Sequence, residues 1–95
     1  MKQLWGTVQQ GGEVLAEHVE VWLQESVDPR SGIMDWDGSF AVPAGVFLEP
    51  GNLYRLMLED GRSGDVIVSE IQISSGIRGQ AIPIRFVGTG PLRRE

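Results

Sequence analysis

The chain has no cysteine, a single histidine, and only eight lysines and arginines against thirteen aspartates and glutamates in 95 residues. Without cysteine there is no disulfide framework, no thiolate zinc site and no thiol nucleophile. A small domain free of disulfides suits a reducing compartment, and a cytoplasmic location is the expectation. The net charge of −5 argues against nucleic acid as a partner, because phosphate binding draws on a basic stripe that releases counterions. Arg78 and Arg85 stand apart, and Arg93–Arg94 close a tail, residues 89–95, that is expected to fray. No apolar run approaches the roughly 18 residues of a membrane-spanning helix, so a membrane is not an expected partner. The opening Met1-Lys2-Gln3-Leu4-Trp5-Gly6 lacks the apolar centre of a signal peptide. Helical spacing of apolar residues is missing too. Only Pro43 to Leu48 has room for a turn of helix.

What is present is a period of two. Ninety-five residues fit one domain, residues 1–95, whose core is modest because a chain of this size buries only roughly 60–65% of its unfolded surface. Leu4, Gly6 and Val8 alternate with Trp5 and Thr7. Val19, Val21 and Leu23 alternate with His18, Glu20 and Trp22. Tyr54, Leu56 and Leu58 alternate with Arg55 and Met57. Such alternation reads as strands with one buried face. Thirteen glycines fall between these runs as punctuation. Gly11-Gly12, Asp28-Pro29-Arg30-Ser31-Gly32 and Asp60-Gly61-Arg62-Ser63-Gly64 read as turns, and Asp37-Gly38 as a tight hairpin between short strands at 33–36 and 39–42. Ala44 to Asn52 reads as a loop with Val46-Phe47-Leu48 tucked under the domain. Asp65 to Ile73 forms a return strand, broken at Ser74-Ser75-Gly76, and Ala81 to Val87 is the last strand. Pro83 marks that last strand as an edge or one whose proline nitrogen faces outward. The expected fold is all-β, a small antiparallel barrel or barrel-like sandwich of six or seven strands with hairpin connections.

The stretch Tyr54-Arg55-Leu56-Met57-Leu58-Glu59-Asp60-Gly61-Arg62-Ser63-Gly64-Asp65 and the ending Phe86-Val87-Gly88-Thr89-Gly90-Pro91-Leu92 are similar to small uncharacterised bacterial β proteins, over about a third of the chain. The resemblance implies a bacterial origin and a β fold, and no mechanism.

Signatures of chemistry are incomplete. His18 has Glu20 as its expected neighbour, and an enzyme built on that pair or on the Asp60–Asp65 turn is the remotest reading, because no activated serine accompanies it. Gly61-Arg62-Ser63-Gly64 lacks the glycine a nucleophile elbow needs at the next position, where Asp65 stands. Asp35-Trp36-Asp37-Gly38 resembles part of a calcium loop, but Ile33 and Ala44 occupy the places of further ligands. Glu59, Asp60 and Asp65 read as an exposed turn with Arg62 among them. No cofactor or metal is expected. The aromatic residues are more suggestive. Trp5 and Trp22, and likewise Met57, lie opposite the better apolar face of their strands, so they form a second core or face a partner. The leading expectation is therefore a non-catalytic module that docks to another protein or to itself, with Trp5, Trp22, Trp36 and Met57 as interaction candidates. The alternative is a barrel that binds a small molecule at a mouth near residues 28–32 and 74–80.

Overall fold

A computed structural model describes residues 2–43, 45–71 and 81–94. Among them are seven strands and no helix: β1 (Lys2–Gln10), β2 (Glu13–Val27), β3 (Met34–Val42), β4 (Leu53–Leu58), β5 (Arg62–Ile71), β6 (Ile82–Gly88) and β7 (Arg93–Arg94). Every pairing is antiparallel. The order β4-β1-β2-β3-β6-β5, with β4 also paired to β5, closes a six-strand barrel, and β7 adds to β5.

The connections are not all hairpins. β1, β2 and β3 form one meander and β4, β5 and β6 a second, but β4 pairs with β1 rather than β3. The spatial order 4-1-2-3 is that of a Greek key, in which β4 lies beside β1 rather than β3. Exchanging β1, β2, β3 for β4, β5, β6 leaves every barrel pairing unchanged, so the barrel has the connectivity of two equivalent halves.

The interior is a continuous cluster fed by alternate residues of each strand. Val8, Val21, Phe40, Leu56, Val66, Val68, Ile84 and Phe86 are fully buried, and side chains of this kind each contribute about 1.5–3 kcal/mol on burial. A small molecule inside the barrel would have to displace them. Tyr54 is buried, and its hydroxyl accepts a bond from the Glu49 N–H at 2.8 Å, which pins the segment ahead of β4 so that Leu48 is buried. Phe47 does not tuck in with it; it is 88% exposed.

Four sequence expectations are corrected here. Asp37-Gly38 makes no hairpin: both lie inside the continuous β3, opposite Gln24 and Leu23. The glycine serves a close approach instead, since a Cβ on Gly38 would lie 1.9 Å from the Trp22 carbonyl oxygen. With β3 unbroken, Trp36 falls in phase with Phe40 and Val42 and enters the core at 3% exposure, so it is not a docking residue. The tail is not frayed over its described part. Trp36 Nε1 donates to the Gly90 carbonyl at 2.6 Å, Leu92 packs on the core, and Arg93–Arg94 pair with Ser63 and Arg62. The hairpin strand expected to begin at Asp65 begins at Arg62 instead, with the turn shortened to Glu59–Gly61. Its expected end at 72–73, the break at 74–76 and the proposed ligand mouth at 74–80 lie outside the described residues.

Candidate functional site

Two irregularities of β2 shape its outer surface. Gly6 pairs with Val19 and Val8 with Ala16, so one extra residue is inserted at Glu17–His18, and a second extra residue, Leu15, follows before Gln9 meets Val14. Ala16 and Val19 both point inward while Glu17 and His18 both point out. His18 absorbs the bulge with φ of 51°, the only positive φ outside glycine among the described residues. A side chain there costs on the order of 1–2 kcal/mol, and bulges of this kind re-aim side chains.

The re-aimed imidazole is held on two sides. Its ring stacks on Trp5 with centroids 4.4 Å apart and planes within 7°. Its Nδ1 lies 2.9 Å from Glu59 Oε1, and the Glu59 N–H donates to the Trp5 carbonyl at 2.8 Å. A strand (β1), a bulge (β2) and a turn (after β4) thus fix one aromatic pair on the outside of the barrel. Glu20 shares the outer face and the depression with His18, as the alternation predicts, but the ring nitrogen pairs with Glu59 instead.

Next to this pair the sheet opens. The β2–β3 ladder ends at Val21–Phe40, and Pro43, without an N–H, cannot extend β3. Beyond that point the strands leave a depression of about 810 Å³. Trp5, Glu17, His18, Glu20 and Trp22 line it from β1 and β2, and Ala41, Pro43, Ala81 and Pro83 from the other side. Pro83 pairs with Ala41, and it stands one residue past the last described β5–β6 pair, Ile71–Ile84, so its missing N–H interrupts no described pairing on that side. Trp5 is 39% exposed and Trp22 half-buried. The structure therefore brings Trp5 and Trp22 together in one depression. It leaves Met57 apart, half-buried between Thr7 and Ser63 on neighbouring strands.

No family model, curated protein or solved structure matches this chain.

The acidic turn expected at Glu59, Asp60 and Asp65 is distributed rather than clustered. Glu59 serves His18, Asp65 pairs opposite Arg55, and Asp60 binds Arg62 through the Arg62 N–H at 3.0 Å and its Nε at 2.9 Å. The Arg62 guanidinium also reaches Glu25. Partial burial by itself would raise the Asp60 carboxyl, but the Arg62 N–H and guanidinium outweigh it and hold that carboxyl below the usual carboxylate range. Burial likewise opposes the charge on Arg62, and its two carboxylate partners raise it above the ordinary arginine value. Asp35 and Asp37 lie exposed on either side of the inward Trp36. Among the described residues no group of three or more His, Cys, Asp or Glu side chains stands where it would hold a metal ion.

Sequence reasoning identified Trp5 and Trp22, but not Glu17, Glu59, Ala41, Pro43, Ala81 or Pro83 as their companions. The two prolines were visible as ends of pairing. That both ends face the same gap follows from strand order, which a linear pattern does not carry.

Proposed function

We propose that this protein is a non-catalytic docking module that seats a partner protein in the outer depression between β2 and β3. The observation that carries the reading is the Trp5–His18–Glu59 assembly, in which a strained backbone holds an aromatic pair rigid at the rim of the hollow. Aromatic anchors that are ordered before binding lose little conformational entropy on association. The histidine's two contacts orient its ring and leave its side chain 65% exposed. That suits a contact surface better than a general base, which works within reach of a substrate proton in a sheltered cleft. A filled interior likewise favours surface docking over an internal ligand.

The test is affinity capture with the wild-type chain and a Trp5→Ala/Trp22→Ala variant as baits. Both residues point away from the core, so the variant keeps its strand spectrum. Proteins retained by the wild type and lost by the variant are the expected result. Identical retention by both baits would count against this surface.

A further inference from the structure

We infer that the occupant of this depression is an extended segment of another protein that carries lysine or arginine; this rests on the docking reading above. Charge is the first ground. Glu17 and Glu20 line the hollow, Glu59 is held at its edge by His18, and the described lining residues include no lysine or arginine. The chain as a whole carries −5, so the long-range field favours a cationic partner.

Aromatic chemistry is the second. Trp5 and Trp22 offer indole faces beside those carboxylates. A lysine or arginine lays its aliphatic stem along such a face, while its charge meets both the ring quadrupole and a carboxylate. The small side chains Ala41 and Ala81 on the far wall leave room for that stem.

Shape is the third. The hollow follows two diverging strands, so it is a furrow rather than a cup. Among the described residues, Glu17–Glu20 of β2 have no strand partner on the β3 side. An extended chain in the furrow would find main-chain groups there, the mode in which peptides add to open sheet edges. A second copy of this chain fits poorly. A two-fold contact through this patch would set Glu17 and Glu20 of one molecule against those of the other.

A display library of random dodecapeptides, screened against the full chain at physiological ionic strength, tests this. Retained sequences are then measured on Trp5→Ala, Trp22→Ala, Glu17→Gln/Glu20→Gln and, as a control away from the furrow, Asp35→Asn/Glu49→Gln. The expected result is enrichment in lysine and arginine. Affinity should fall about tenfold or more on loss of either tryptophan and about three- to tenfold on the paired Glu→Gln change, with no change in the control. Thermal unfolding of each variant confirms the fold, and the exposed-rim Glu→Gln pair carries the test alone if a tryptophan variant loses structure. Tryptophan-dependent peptides that are acidic or neutral would overturn the basic occupant and leave the docking reading standing. A dimer dispersed by Trp5→Ala would overturn it in favour of a second copy. Recovery of no tryptophan-dependent peptide would overturn both readings.

Discussion

Single residues decide two features of this molecule, the slot for Trp36 and the bulge at His18. The Trp36 indole lies against two glycines: a Cβ on Gly88 would fall 2.2 Å from its Cε2, and one on Gly64 2.6 Å from its Cζ2. The ring meets Phe86 edge-on at 5.8 Å, and Phe86 stacks on Phe40 at 5.4 Å. Gly88→Ala should therefore destabilise the protein by about 1–3 kcal/mol through overpacking, read as a lower urea midpoint. A midpoint equal to wild type would mean that the slot is not this tight. At His18 the side chain tolerates a left-handed backbone because its ring is anchored. His18→Gly relieves on the order of 1–2 kcal/mol of strain and forfeits a stack worth about 0.5–1.5 kcal/mol, so the net change should stay within about 1 kcal/mol. His18→Val forfeits the same contacts and adds a β-branched side chain at positive φ; it should cost about 2 kcal/mol or more. Equal stabilities for the two variants would contradict the bulge. None of this was legible in the sequence. Gly88 reads there as the end of a strand and His18 as one step in an alternation, because close approach and bulging arise only when a second strand is laid alongside.

At the scale of elements, the strands with clean alternation were legible and those with punctuation inside them were misread. Tyr54, Leu56 and Leu58 on β4, and Val19, Val21 and Leu23 on β2, enter the core as their period requires. Asp37-Gly38 reads as a tight turn inside β3, yet the close approach to Trp22 demands glycine for a different reason. The start of β5 is hidden for a similar cause: Ser63 and Gly64 read as turn residues, but Ser63 is a buried strand residue, 4% exposed. The β4–β5 turn also carries a pH dependence. Asp60 is held below the usual carboxylate range, so its interaction with Arg62 adds stability above the unfolded-state value, near pH 4, and that stability is lost as pH falls through the lower folded-state value. Between about pH 5 and pH 2, wild-type stability should fall more steeply than that of Asp60→Asn, as measured by urea unfolding at stepped pH. Parallel curves would show that Asp60 does not contribute to acid sensitivity.

The whole molecule is an elongated body of 45 × 26 × 23 Å, and its shape follows from the offset of β2. Ladder pairs connect that strand to both neighbours only over Val21–Leu23. Its N-terminal half runs on with β1 alone and its C-terminal end with β3 alone. The docking furrow lies where β2 leaves β3, and the exposed apolar residues Val27, Ile33 and Met34 lie on the β2–β3 hairpin beyond the opposite end. A small all-β barrel could be anticipated from period and glycine spacing, but the Greek-key crossing could not, because alternation fixes which face is buried and says nothing of which strand comes next. Three tryptophans report on this arrangement in one spectrum. The most direct test follows their indole N–H resonances by NMR while a lysine- and arginine-bearing peptide selected on the wild-type chain is added. The signals of Trp5 and Trp22 should shift with saturation, and that of Trp36, bonded to Gly90 inside the fold, should stay in place. A shift confined to Trp36, or none at Trp5 and Trp22 under saturating peptide, would contradict the account.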